Sequence, residues 1–171
     1  MAIAFRGESQ KGGSQAGMLP SGRTSGLSVM PSASVIYHSD TWTTAGLGAD
    51  IANHLRAAGI EATVSSIDDT DPAALGEVDY LFLGAWTHGL FVVGQHPDRP
   101  WVEFARAIPR LERPRVALFT TYKVRTGSMF RQMRRALEHS GARVGLELKS
   151  RDTHLTGDGR RALDRFLGAP R

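Results

Sequence analysis

The sequence predicts a doubly wound α/β domain, in which helices cover both faces of a five-stranded parallel sheet and give three α/β/α layers. From residue 33 onward, short apolar runs alternate with segments whose apolar residues recur at helical spacing. One run, VDYLFLGA at 78–85, is apolar almost throughout, which is typical of a central strand covered on both faces. Of the two common small arrangements, five strands favour the order 2-1-3-4-5.

The predicted strands are runs of apolar or β-branched residues bounded by turn residues. The first precedes a hydroxyl-rich segment, and the second precedes an acidic turn that contains Pro72. We predict strands at 33–38, 60–67, 78–85, 115–121 and 143–148.

Apolar residues at helical spacing follow the first, third, fourth and fifth strands. The first helix carries Leu47, Ile51 and Leu55 on one face, and Gly59 is placed to end it. The remaining helices are predicted at about 100–111, 127–140 and 157–167.

Length and composition indicate one globular domain. The chain has 171 residues, of which 41% are hydrophobic and 22% charged. Residues 1–32 are rich in Gly and Ser without a sustained period, so we expect a flexible leader before a domain at 33–171. No apolar run is long enough to cross a bilayer. The absence of Cys excludes disulfides and thiolate chemistry, and we expect a cytoplasmic protein.

Charge is distributed unevenly along the chain. Residues 33–98 carry one base against nine acids, and residues 99–171 carry seventeen bases against seven acids. Because no nucleic-acid-binding motif accompanies the basic half, we predict no specific nucleic-acid partner. Much of the asymmetry is expected to cancel where the halves pack together, and a surface for an anionic partner is the alternative.

Ligands on such a sheet bind beyond the carboxyl ends of the strands, at the switch point between the first and third strands. The loops 38–45, 85–98 and 120–127 are therefore expected to form the site. The first loop contains SDTWTT at 39–44, just before a helix whose free N–H groups and positive dipole end favour a phosphate. The alternative is that Thr43 or Thr44 only caps the helix. Nucleoside-triphosphate and dinucleotide fingerprints are absent, so a single phosphate fits better.

In this first loop the chain resembles the flavodoxin family. Matches to the family's motif fall at Tyr37, Ser39, Thr41, Thr44 and Ile51, whereas Trp42, Thr43 and Gly48 replace the usual Gly, Asn and Ala. In that family the loop hydroxyls and the helix N-terminus hold the 5′-phosphate of FMN. The resemblance therefore implies FMN as cofactor, with its phosphate held by Ser39, Thr41, Thr43 and Thr44, and it places Asp40 and Trp42 among the cofactor-binding residues of the same loop.

The second and third loops are similar to the family segments that contact the flavin ring. The motif GAWTHG at 84–89 resembles the loop that flanks the ring, and it implies contacts from Ala85, Trp86, Thr87, His88 and Gly89, with Trp86 and His88 able to stack on the flavin. Taken alone, a Trp or His that follows a strand more often only packs within its loop.

The third loop, 119–127, corresponds to the last flavin-contacting segment and implies Thr120, Thr121, Tyr122 and Lys123. A cation such as Lys123 or Arg125 near the ring would stabilise the anionic reduced flavin and raise its reduction potential. The basic second half thus argues against a low-potential carrier, because the family's carriers are strongly acidic.

The predicted function is FMN-dependent electron transfer or reduction, from a reductase or nicotinamide donor to a redox partner protein or a small quinone-like acceptor. If the protein is an enzyme, it is an FMN-dependent oxidoreductase of the NAD(P)H or quinone type, and no catalytic side chain or metal ligand is assigned. The segment 90–98 has no family counterpart and is interpreted as a lid or a homo-oligomer contact.

The sequence also bears on three other functions. A response-regulator receiver is excluded because the third strand ends in Leu83-Gly84-Ala85, without the Asp that accepts phosphate. A flavodoxin-fold interaction domain that has lost FMN stays open, with Trp42 filling part of the phosphate turn. A nucleic-acid binder would depend on the basic half alone.

Overall fold

The computed structural model describes residues 30–39, 42–86, 96–123 and 126–168. Within them, five parallel strands form one sheet with the order β2-β1-β3-β4-β5, as predicted. The strands are β1 (Ser32–His38), β2 (Glu61–Ser66), β3 (Tyr80–Trp86), β4 (Arg115–Thr121) and β5 (Val144–Ser150). The expected leader at 1–32 lies outside the described residues except for its last three positions, and the last of these, Ser32, already belongs to β1.

Helices cover both faces of the sheet. They are α1 (Thr43–Ala57), α2 (Arg99–Ala107), α3 (Met129–Leu137) and α4 (Gly157–Gly168), with short 3-10 turns at Ile67–Asp69, Pro72–Gly76 and Glu138–Ser140. The helices α1 and α4 pack on one face and α2 and α3 on the other, so the predicted three layers are confirmed.

The two core clusters are divided by the alternation of side chains along the strands. On β3, Phe82 faces α1 and α4, whereas Leu81 and Leu83 face α2 and α3. On β4, Phe119 likewise faces α1 and α4, and Leu118 faces α2 and α3. All residues of β3 from Tyr80 to Ala85 are buried, which explains the continuous apolar run that predicted this strand.

Element boundaries differ from the predictions where a local interaction favours another conformation. The second strand ends at Ser66, whose hydroxyl accepts a hydrogen bond of 3.0 Å from the N–H of Asp68 and caps a 3-10 turn. The second helix ends at Ala107 because Pro109 follows Ile108, which takes an extended conformation with φ −65° and ψ 127°. No helix in the described ranges is long and apolar enough to span a membrane.

Candidate functional site

The carboxyl ends of β1, β3 and β4 meet at one edge of the sheet. His38 at the end of β1 is in register with Ala85, and Ala85 is in register with Thr120 on β4. The chain leaves β1 toward β2 on one side, and β3 continues toward β4 on the other. This edge is therefore the switch point, and the three predicted loops begin there.

Ten of the fifteen predicted cofactor-binding residues are described. Eight of them lie at the last two positions of β3 or β4, at the first two positions of α1, or directly beside these elements, and one follows β1. The described residues are Ser39, Trp42, Thr43, Thr44, Ala85, Trp86, Thr120, Thr121, Tyr122 and Lys123. The predictions for Asp40, Thr41, Thr87, His88 and Gly89 lie outside the described residues.

The N-terminus of α1 is the main polar feature of this edge. The first intrahelical bond runs from the N–H of Gly46 to the carbonyl of Trp42, at 2.8 Å. The N–H groups of Thr43, Thr44 and Ala45 therefore precede the hydrogen-bonded helix. Trp42 holds the N-cap position and makes no side-chain cap, and the first turn contains no acidic residue. The helix end keeps its positive partial charge, which attracts anions.

Trp42 points away from the protein. Its exposed fraction is 88%, so the indole fills no space beside the start of α1. The residue has helical backbone angles, φ −48° and ψ −6°, which a bulky side chain adopts without strain. The substitution of Trp for a small residue is thus accommodated by turning the side chain to the outside.

Three threonine hydroxyls at this edge bond within the chain. The Oγ1 atoms of Thr44 and Thr121 are 2.7 Å apart in a buried contact that joins the first turn of α1 to the end of β4. The Oγ1 of Thr120 donates to the carbonyl of Ala85 at 2.6 Å and joins β4 to β3. These hydroxyls fix the positions of the elements that frame the site.

A histidine–carboxylate pair that the sequence analysis did not single out lies at the same edge. Nδ1 of His38, at the end of β1, is 2.7 Å from Oδ2 of Asp98, the residue before α2. Both side chains are mostly buried, with exposed fractions of 15% and 12%. The pair holds the start of α2 against β1. One sequence signal pointed to His38: it lies two positions after the buried Ile36 and therefore on the same face of the strand.

Cations flank the third loop. The ring of Tyr122 lies 5.7 Å from the guanidinium carbon of Arg151, and the neighbouring Lys123 is exposed. The N–H of Tyr122 donates to the carbonyl of Ser150 at 3.0 Å, which extends the pairing of β4 and β5 beyond the strand end. The ring and both charges are therefore held beside the carboxyl end of β4.

Asp50 fixes α1 to the segment that follows β5. Its carboxylate accepts hydrogen bonds of 2.8 Å from the N–H of Leu155 and from the guanidinium of Arg160. Burial works to raise the pKa of Asp50, but these two partners and His154 outweigh it and hold the pKa below its ordinary value. The carboxylate is thus charged at neutral pH and stabilises the position of α1.

Two glycines allow close packing beneath the site. A Cβ on Gly84 of β3 would lie 2.2 Å from the ring of Phe119, and a Cβ on Gly46 would lie 2.6 Å from Cγ2 of Thr153. Phe119 is fully buried, so its ring has no free space into which to move. Gly84 lets the ring cross β3, and Gly46 lets the first turn of α1 approach the segment after β5.

Comparison with solved structures identifies the same architecture in flavodoxins. The flavodoxin of Streptococcus pneumoniae TIGR4 superposes with a TM-score of 0.62 and 19% identity, over 79% of this chain and 94% of that one. Two-electron reduced flavodoxin from Megasphaera elsdenii gives a TM-score of 0.62 and 19% identity, over 78% of this chain and 96% of that one.

A larger protein contains the same fold as one part. Rubredoxin oxygen:oxidoreductase from Desulfovibrio gigas superposes with a TM-score of 0.61 and 14% identity, and the match covers 82% of this chain but 38% of that one. No protein-family model and no curated protein matches this chain by sequence. The chain is therefore flavodoxin-like in fold, with the five-stranded order and the layers of those proteins.

Proposed function

We propose that the protein binds FMN at the carboxyl edge of the sheet and transfers electrons through it. One observation carries the proposal: the N-terminus of α1 lies at the switch point without a side-chain cap and without an acid in its first turn. The N–H groups of Thr43, Thr44 and Ala45 and the helix dipole form a suitable environment for a phosphate. Trp42 does not obstruct that environment, because its side chain is 88% exposed.

The residues present fit the phosphate and the ring. Hydroxyl and backbone N–H groups from Ser39 to Thr44 would hold the phosphate, and the segments 85–89 and 120–123 would flank the flavin. Bound FMN would supply the redox chemistry by accepting and donating electrons. The chain itself would hold the phosphate and place Trp86 and Tyr122, the aromatic residues that end or follow β3 and β4.

The charges near the third loop support a role distinct from that of an acidic carrier. Lys123 and Arg151 place two exposed cations beside the end of β4. Positive charge near a flavin favours its anionic reduced form and so raises the reduction potential. We propose an acidic redox partner protein, which these cations would attract, or a quinone-like acceptor.

The test is the visible absorption spectrum of the purified protein, followed by titration with FMN and with riboflavin. Ser39→Ala should weaken FMN binding by about tenfold or more, the usual range for one hydrogen bond to a charged group, and should leave riboflavin binding nearly unchanged. Ser34→Ala is the matched control, because Ser34 lies near the amino end of β1, whereas Ser39 follows the carboxyl end of that strand. Thr44 is left unchanged in this test, because its replacement would also remove the contact with Thr121 that joins α1 to β4.

The proposal fails if folded protein shows no flavin absorbance and binds no FMN at micromolar concentration. Equal weakening of FMN and riboflavin by Ser39→Ala would mean that this hydroxyl does not hold the phosphate.

The second candidate function is an interaction domain on the same fold without a cofactor. The exposed Trp42 favours it, since large exposed aromatic residues are enriched where proteins bind partners. FMN titration separates the two candidates: a folded protein that binds no FMN favours the interaction domain, and micromolar or tighter binding excludes it.

A further inference from the structure

A basic pocket opens at the amino edge of the sheet, opposite the proposed flavin site. Its volume is about 680 Å³, and its lining includes Arg113, Arg115, Arg143 and Arg165, with Glu112 as the one acid among the described lining residues. We call it the amino-edge pocket. The arginines come from the start of β4, the start of β5 and the end of α4, and therefore converge from three elements.

Part of this charge is already paired. Arg113 lies 3.3 Å from the buried carboxylate of Asp79, and Glu112 lies 3.4 Å from Arg110 outside the pocket. Among the described residues, Arg143 and Arg165 have neither a carboxylate nor a hydrogen-bond partner. These two exposed guanidinium groups are therefore available to an anion that enters the pocket.

Arg165 has a second role that Arg143 lacks. It lies in the last turn of α4, where a cation is favoured by the helix dipole. Arg143 lies just before β5 and is not at the end of a helix, so a helix dipole does not account for its position.

The floor of the pocket is apolar. The guanidinium carbon of Arg115 lies 4.3 Å from the ring centroid of Phe166, which fixes this third cation over an aromatic face. Gly145 forms part of the wall, and a Cβ there would lie 3.0 Å from the Phe166 ring. The missing side chain keeps the pocket open above Phe166 and the buried Leu146.

We propose that the amino-edge pocket binds a small phosphorylated ligand with an apolar planar body, of the nucleoside diphosphate class. The guanidinium groups of Arg143 and Arg165 bind the phosphates, because Arg presents paired N–H donors that match phosphate oxygens. The apolar walls, Pro114 among them, take the planar body. The volume lies within the range of about 300–1,000 Å³ typical of small-molecule sites.

The test is calorimetric titration of the full-length protein with ADP, with and without excess FMN. Arg143→Ala and Arg165→Ala should each weaken ADP binding by about tenfold or more, because each removes a charge-assisted contact. Arg161→Ala is the matched control: it lies on α4, is paired with Asp158 and does not line the pocket. It should leave the affinity for ADP unchanged. Each substitution is at an exposed position, so circular dichroism should show an intact fold.

Two further probes separate the parts of the ligand. Pyrophosphate should bind more weakly than ADP and should lose affinity in the same two variants, whereas adenosine should be insensitive to both.

Three outcomes overturn the proposal. They are no binding of ADP at millimolar concentration, equal effects of Arg143→Ala and the Arg161→Ala control, and displacement of ADP by FMN, which would place ADP at the carboxyl edge. The first two outcomes leave open whether FMN binds, whereas the third requires that it does, so failure of this proposal is distinguishable from failure of the proposed FMN site.

Discussion

The hydroxyl pair of Thr44 and Thr121 should stabilise the start of α1 by coupling it to β4. The two oxygens are 2.7 Å apart, Thr44 is fully buried and Thr121 is 8% exposed. Thr121→Val keeps the shape of the side chain but leaves the Thr44 hydroxyl buried without this partner. The expected cost is about 1–3 kcal/mol, the usual penalty for an unsatisfied buried polar group.

The double variant Thr44→Val with Thr121→Val should lose less stability than the two single variants together. Both hydroxyls are then replaced by apolar groups of the same shape, which is often nearly neutral. The expected coupling between the two positions is about 1 kcal/mol or more. This coupling energy is the contribution of the Thr44–Thr121 contact itself.

Urea denaturation followed by far-UV circular dichroism measures these differences. For a domain of this size the urea dependence is about 1–3 kcal/mol per molar, so a loss of about 2 kcal/mol lowers the midpoint by about 1 M. Thr63→Val is the control, because Thr63 is exposed and its Oγ1 makes only contacts of 3.5 Å with the described residues. Strictly additive losses in the double variant would refute the coupling.

Two other substitutions test the packing beneath the site. Gly84→Ala should destabilise the protein by about 1–3 kcal/mol or more, because its Cβ would lie 2.2 Å from the fully buried ring of Phe119. Gly76→Ala, with nothing within 4 Å, should be nearly neutral, and similar midpoints for both would contradict the packing argument. Asp50→Asn should cost about 1–3 kcal/mol at neutral pH. Because the folded pKa of Asp50 is held below its ordinary value of 3.8, this contribution is present above that value and is lost as pH falls through the folded pKa. The wild-type and Asp50→Asn unfolding curves should therefore converge in acid, and a constant gap would show that the charge of Asp50 is not responsible.

Most of the fold could be predicted from the sequence because both faces of the central strands are covered. A strand covered on both faces is apolar almost throughout, and this pattern located β3. A shorter run of apolar and β-branched residues predicted the bounds of β4, Arg115–Thr121. Helix boundaries were less predictable. Pro109 ends α2 earlier than the apolar spacing indicated, since the residue before a proline is driven out of the helical region.

The place of the candidate site also followed from the sequence. The carboxyl ends of parallel strands share one edge of the sheet, so the order 2-1-3-4-5 brings together the loops that follow the first, third and fourth strands. This conclusion requires no information about side-chain positions. The sequence also showed the excess of hydroxyls at 39–44 and the basic character of residues 99–171.

Only the tertiary structure decided what those side chains contact. Thr44 and Thr121 are 77 positions apart, and no local pattern announces that their hydroxyls meet. The outward direction of Trp42 and the approach of His38 to Asp98 likewise depend on elements packed from distant parts of the chain. Periodicity indicates which face of an element is buried. The partner of a buried polar group depends instead on how distant elements pack together, and no single segment of the sequence determines that packing.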